Sequence, residues 1–516
     1  MKKMKVLAAL TIIGITSTLI GCSSISREKG LAYTEEAELS VLGMSEPSDE
    51  GIIVSEDRFE EFEDNPFVEV EKEPVSTFSI DADGASYAIM RRMVNERLDI
   101  QPASVRIEEY LNYFTFDYAS PSDDNTVAIN GEIGPCPWNA EHQLLRLGVK
   151  GKELKADEVP QANFVFLVDV SGSMSSEDKI DLLKSGLISL VDHLNPNDRI
   201  SLVTYSGEVK KLLESTPVRE KDKIKGAIKK LNTDGYTAGG KALKMAYEEA
   251  LTNYNPKYNN RVIMGTDGDF NVGVTDDDEL VEMVEKYASQ GVYMTCLGFG
   301  FGNLNDAMME KISNAGNGTY YYIDSEEEMV KVFVNERERF VSVANDAKCQ
   351  VTFDKEMVDQ YRLIGYENRA LNTEDFEDDK KDAGEIGAGQ TITALYEIVP
   401  TEKFQQSLKN PSAAKHHVAT FDFRYKKSLN STSIPLKIDL AVEDMLRNGQ
   451  PLQMSENLSF AAGVAAYGMV LRTSPHKGDA TLEMACKLIE NSLGYDPHGY
   501  RAELLSIIKK GMSTEE

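Results

Sequence analysis

Three short stretches carry the residues whose types and spacing could do chemistry. Asp169-Val170-Ser171-Gly172-Ser173 follows directly on the apolar run 164–168, which reads as a buried strand. Thr237 lies in Asp234-Gly235-Tyr236-Thr237-Ala238-Gly239-Gly240, just ahead of a helical pattern that starts at Lys241. Asp267 lies in Thr266-Asp267-Gly268-Asp269, immediately after the apolar run 262–264. All three fall at matching strand ends, where open α/β sheets build their sites. The donors are hydroxyl and carboxylate oxygens, a set that suits a hard divalent cation: magnesium first, with manganese or calcium as alternatives. Neutral hydroxyls leave such an ion much of its charge and one exchangeable position, which a glutamate or aspartate of a partner can fill. The competing use of these serines is as helix caps. Lys241 reads as a solvated helix start, and Asp269 and Asn271 as a polar turn or as partners of an ion's water shell.

The elements that must position these residues follow from periodicity. Between 162 and 335, strands at 164–168, 200–205, 262–264, 293–298 and 319–323 alternate with helical patterns at 179–194, 221–231, 241–253, 278–289, 304–314 and 326–338. Apolar strands separated by helices specify a doubly wound, mostly parallel sheet. Ahead of it, 65–161 reads as an α+β region, with a strand at 76–80, helices at 87–97 and 106–113, and strands at 126–133 and 144–149. After it the alternation stops. Strands near 347–353, 390–398, 419–425 and 434–440 make 336–442 a β-rich region, and 443–516 returns to helical spacing. The expectation is an α/β domain inserted in a β-rich domain built from both flanks, with a C-terminal helical segment. Asp81-Ala82-Asp83-Gly84-Ala85-Ser86 has the look of the start of a calcium loop, but Arg92 stands where such a loop needs a glutamate; a strand end and helix cap explain it as well. The acidic run 373–385 reads as a solvated hairpin or loop, with a second cation site as the alternative.

The chain of 516 residues is too long for one compact domain, and its 41% apolar and 27% charged content is ordinary for globular proteins. A net charge of −30 repels polyphosphate and argues against nucleic-acid binding. Six histidines without an HExxH pattern or paired cysteine spacing argue against zinc chemistry. Residues 1–21 combine Lys2, Lys3 and Lys5 with an apolar stretch of signal-peptide length. They end on Leu19-Ile20-Gly21-Cys22, which resembles the bacterial lipobox; by that resemblance Cys22 is lipidated and anchors the chain to a membrane on its extracytoplasmic face. Residues 22–64 belong to an acidic, disordered linker; 23–75 holds sixteen acids against four bases. The remaining cysteines, Cys136, Cys296, Cys349 and Cys486, are scattered and are read as unpaired.

Taken together, the three stretches resemble the metal-ion-dependent adhesion site of a von Willebrand factor A domain, covering 162–335. The resemblance implies direct ligation by Ser171 and Ser173, by Thr237 directly or through water, and by Asp169 and Asp267 mainly through water. Ser76 to Tyr87, Val105 to Phe114, Pro135 to Asn139, Asp382 to Gln390 and Gly494 to Arg501 are similar to the flanks of a bacterial lipoprotein family with a central A domain, often labelled as calcium-activated chloride channel homologues. The implied role is non-enzymatic: a lipid-anchored adhesion or scaffold protein that grips an acidic residue of a protein partner. A structural envelope module with a vestigial or stabilising metal site, and a metal-dependent hydrolase, are the alternatives.

Overall fold

A computed structural model describes residues 57–122, 124–233, 240–268, 277–379, 381, 383–409, 415–447, 450–451 and 453–514. Residues 1–21, expected to be a signal sequence, and Cys22, Thr237, Asp269 and Asn271 lie outside the described residues. The central sheet has six strands in the order Thr319–Ile323, Tyr293–Phe299, Asn259–Thr266, Ala162–Asp169, Arg199–Tyr205, Val209–Pro217. The first five run parallel, and the register aligns Phe164 with Ile200 on one side and with Arg261 on the other. Buried on both faces, these strands are continuous in apolar side chains, as a parallel sheet between helices requires. The edge strand Val209–Pro217 is antiparallel and is an addition to the expected set. Its Lys210, Lys211 and Glu214 face water, so it carried too little apolar signal to be read.

Segments from both sides of this domain build the support. One antiparallel sheet runs Val68–Glu69, Val358–Ile364, Thr391–Pro400, Gln143–Gly151, Val127–Pro135. In a second sheet, Ser342–Phe353 pairs with Val75–Ser79 and Gly384–Gly387 on one side and with His417–Lys426 on the other, followed by Ile434–Ala441. Leu145, Leu147 and Val149 of the first sheet share one apolar core with Val351, Phe353 and Phe421 of the second, as in a sandwich. The α/β domain is thus inserted between strands that pair with one another. Helices Glu456–Leu471, Leu482–Glu490 and Tyr500–Thr514 form a third layer against Ile107–Asn112. Glu456–Leu471 is apolar all round and almost wholly buried, which explains why its sequence has no polar face.

Several expectations change. Helix Ala85–Glu96 does not simply lie beside the inserted domain: Ala85, Ala88, Ile89 and Met93 enter the core of that domain with Leu167, Tyr320 and Tyr322. The cap reading of Asp81, Asp83 and Ser86 fails, because Gly84 occupies the cap position before Ala85 and no side chain caps the helix. Ser86 instead donates to the Ser104 carbonyl and accepts from the Arg106 amide. The linker was expected to run to 64, yet Arg58 N donates to the Leu304 carbonyl at 2.8 Å and Asp64 pairs with Arg472 at 2.8 Å. The acidic run is, in its described residues, the mostly exposed loop that was expected: it holds a 3-10 turn, Thr373–Phe376, and Asp379 meets Arg424 at 2.9 Å. The expected helix 326–338 is broken into Glu326–Val330, a π turn Lys331–Asn335 and a 3-10 turn Arg337–Phe340. Cys136, Cys296, Cys349 and Cys486 are all free and buried.

Candidate functional site

Strand order reverses around Ala162–Asp169: the chain next adds Arg199–Tyr205 on one side, then crosses back to add Asn259–Thr266 on the other. The crevice beyond the carboxyl ends at such a reversal is where doubly wound sheets hold ligands. Asp169 closes the central strand and is fully buried. Its Oδ1 accepts the Ser171 amide at 2.8 Å, which turns the chain sharply enough to bring Ser171 and Ser173 onto one side. Their Oγ atoms are 3.0 Å apart, with Ser171 buried and Ser173 exposed at the mouth. Neither serine caps through its side chain the short 3-10 helix Gly172–Ser175.

Asp267 follows the neighbouring strand and is also fully buried. The link between the two loops is Thr266, whose Oγ1 donates to Asp169 Oδ2 at 3.0 Å and accepts the Gly268 amide at 3.2 Å. Gly268 has φ +90°, and a Cβ there would meet the Asn305 backbone nitrogen at 2.4 Å; only glycine turns the chain this tightly after Asp267. Thus Asp169, Ser171, Ser173 and Asp267 come together, whereas Thr237 lies outside the described residues.

Burial pushes the Asp169 carboxyl up to about 6; the bonds from Ser171 and Thr266 oppose this, and the charge of Asp267 adds to it. The Tyr205 phenol is buried on the same pair and is raised well above its ordinary value, first by burial and then by the charge of Asp169. One oxygen of Asp267, Oδ1, is buried without a hydrogen-bond partner. The other accepts Lys179 Nζ at 3.0 Å, and the same ammonium reaches Asn303 Oδ1 at 3.3 Å. Lys179, Thr266 and Asn303 were missed in the sequence. Lys179 merely opens the helical pattern at 179–194, and its packing shows only in three dimensions, where a Cβ at Gly300 would strike Lys179 Cε at 1.9 Å. Beside the serines a groove of about 350 Å3 is lined by Val170, Thr204, Lys210, Leu212, Lys230 and Leu231. Glu208 also lines it and pairs with Lys210 at 3.1 Å, which leaves exposed Lys230 as the lysine without an acid of the lining beside it.

Residues 163–335 match the family model described as von Willebrand factor type A domain, 53–146 one described as von Willebrand factor, and 338–513 one described as the C-terminal part of uncharacterized protein YfbK. The uncharacterized protein YfbK of Escherichia coli strain K12 is 38% identical over 464 residues, covering 88% of this chain and 80% of its own. An uncharacterized protein of Synechocystis sp. is 27% identical over 201 residues, covering 39% of this chain and 46% of its own. A solved structure titled von Willebrand factor type A from Catenulispora acidiphila is 16% identical and covers 76% of this chain and 91% of its own, with a TM-score of 0.43. Domains of this type commonly mediate protein–protein interactions and typically bind a divalent cation. The chain belongs to the YfbK family of von Willebrand factor type A domain proteins.

Proposed function

We propose that the protein is a lipid-anchored, extracytoplasmic binding or adhesion scaffold whose A domain grips an acidic residue of a protein partner through a bound divalent cation. The observation that carries this reading is the convergence of two serine hydroxyls and two buried carboxyls at the strand-order reversal, with Asp267 Oδ1 buried and unbonded. A buried carboxylate oxygen without a donor is costly, so this donor set fits a hard cation. Ser171, Ser173, Asp169 and Asp267, with Thr237 from its loop, would hold it; magnesium suits this oxygen set best, with manganese or calcium as alternatives. Bound there, the ion would supply a charge that an incoming carboxylate can neutralise. Lys230 on the adjoining groove favours an acidic partner, whereas Lys210 there is paired with Glu208. Residues 1–21 and Cys22 support export and lipidation, and among the described residues no helix is long and apolar enough to cross a membrane.

The test is capture of partners from an envelope extract by the full chain in magnesium against EDTA, with Ser171→Ala plus Ser173→Ala as control. A partner retained only in magnesium and lost with the control supports the reading; a partner retained equally in EDTA removes the metal-dependent grip. The Lys179–Asp267 pair favours a second reading, a stabilising or vestigial metal site, because an ammonium already neutralises one carboxylate. Titration calorimetry with magnesium, with and without an acidic peptide, separates them: adhesion requires that the peptide bind only when magnesium is present.

A further inference from the structure

Where the A domain meets the segments before it, buried carboxyl groups outnumber bases. Asp81 and Asp83 sit in the turn between strand Val75–Ser79 and helix Ala85–Glu96, Glu109 on helix Ile107–Asn112, and Asp306 and Glu310 on helix Asp306–Ala315 of the A domain. Each is at most 4% exposed. Two guanidinium groups serve all five. Arg106 holds Asp306 through both terminal nitrogens, at 2.6 and 3.2 Å, and also touches Glu109. Arg369 holds Asp81 at 2.9 and 3.1 Å and reaches Glu310 at 3.5 Å. Fully ionised, the group is left strongly negative, and an uncompensated charge in a protein interior is expensive.

Geometry shows where compensation fits. One carboxylate oxygen from each of Asp81, Glu109 and Glu310 lies within 4.8 Å of the other two. Two oxygens on opposite sides of a calcium ion, with bonds of about 2.4 Å, are separated by about that distance. Independently, Asp83 turns Oδ1 to the Tyr320 amide at 2.7 Å and leaves Oδ2 buried with no hydrogen bond, 3.8 Å from the same Arg369 nitrogen that holds Asp81. A cavity of about 440 Å3 reaches Asp81, Asp83 and Arg369 and carries Asp278, Glu285 and Glu385 with one base, Lys311, on its other walls, so acids outnumber bases along this path for a cation.

We propose that Asp81, Asp83, Glu109 and Glu310 bind a divalent cation of the calcium type, which fastens helix Asp306–Ala315 of the A domain to the segments that precede it. The ion replaces part of the missing positive charge and takes the unbonded Asp83 oxygen. Several direct carboxylates make this a saturated, structural site, unlike the hydroxyl-rich one at the strand ends. Calcium is favoured over magnesium because it accepts many carboxylate oxygens in irregular geometry, whereas magnesium demands a near-ideal octahedron and keeps its waters.

The experiment uses the full chain carrying Asp169→Ala, which silences the strand-end site, so its outcome does not depend on the adhesion reading. Calcium alone is titrated by calorimetry, and thermal unfolding is followed with and without it. One ion should bind saturably and raise Tm by about 5 °C. Adding Asp83→Asn and Glu310→Gln should weaken calcium binding at least tenfold and abolish the calcium-dependent rise in Tm, each variant being compared with its own metal-free Tm. No calcium binding in the Asp169→Ala chain overturns the proposal, as does an undiminished response in the triple variant. Should the triple variant fail to fold, tyrosine-sensitised terbium luminescence of the Asp169→Ala chain decides: emission displaced by calcium supports the site, and its absence overturns it.

Discussion

Asp169 and Lys179 show how one buried carboxyl pair sets the behaviour of the strand-end site. Without metal, Asp169 is held up to about 6, above the ordinary carboxylate value, by burial. The folded chain therefore binds this proton more tightly than the unfolded chain, and its contribution to stability falls as pH rises from about 4 to about 6. Asp169→Asn should raise the metal-free Tm at pH 8 and remove that part of the acid-side gain, while abolishing any stabilisation by magnesium; paired melts from pH 4 to 8 check this. Lys179→Met leaves Asp267 buried without its partner. It should destabilise the metal-free chain by about 3 kcal/mol, measured by urea unfolding, with magnesium recovering more of the loss than it adds to the unaltered chain.

At the scale of elements, the loops work because the strands beneath them are held in register by tight backbone contacts. A Cβ at Gly318 would lie 1.3 Å from the Met294 carbonyl oxygen, where strand Thr319–Ile323 starts beside Tyr293–Phe299. Gly318→Ala should therefore push the edge strand outward and lower stability by more than about 2 kcal/mol, visible in denaturant melts and in faster amide exchange across that strand. Arg106→Met should cost about 3 to 5 kcal/mol, because Asp306 and Glu109 lose their shared guanidinium. The five parallel strands were legible in the sequence, since double-sided burial makes them continuous apolar runs, whereas the helical pattern at 326–338 hid the breaks after Val330 and Asn335. The antiparallel edge Val209–Pro217 was not, because its exposed face breaks the run with lysines. Likewise strand Val358–Ile364 carries Asp359, Gln360 and Arg362 among its apolar positions.

Across the whole molecule, the A domain is not self-sufficient. Helix Ala85–Glu96 supplies Ala85, Ala88, Ile89 and Met93 to one face of its core, and Arg91 from the same helix pairs with Asp324 and Glu328 near its end. A recombinant fragment of residues 162–340 alone should thus expose that face, bind a hydrophobic dye and unfold without a cooperative transition; adding back the flanking segments should restore one. Differential scanning calorimetry of the two forms gives the comparison.

Local chemistry was readable in one dimension. The Asp-x-Ser-x-Ser turn, Asp267 after its strand and the alternation of strands and helices each depend on neighbours a few residues apart. What the tertiary structure alone decided is which distant charges meet. Lys179 reaches Asp267 across 88 positions, Arg106 reaches Asp306 across 200, and Asp83 meets the Tyr320 amide across 237. A polar residue in sequence reads the same whether water or a buried partner awaits it. Only packing sets that difference, because burial removes the solvent that would otherwise satisfy each charge and makes its partner matter.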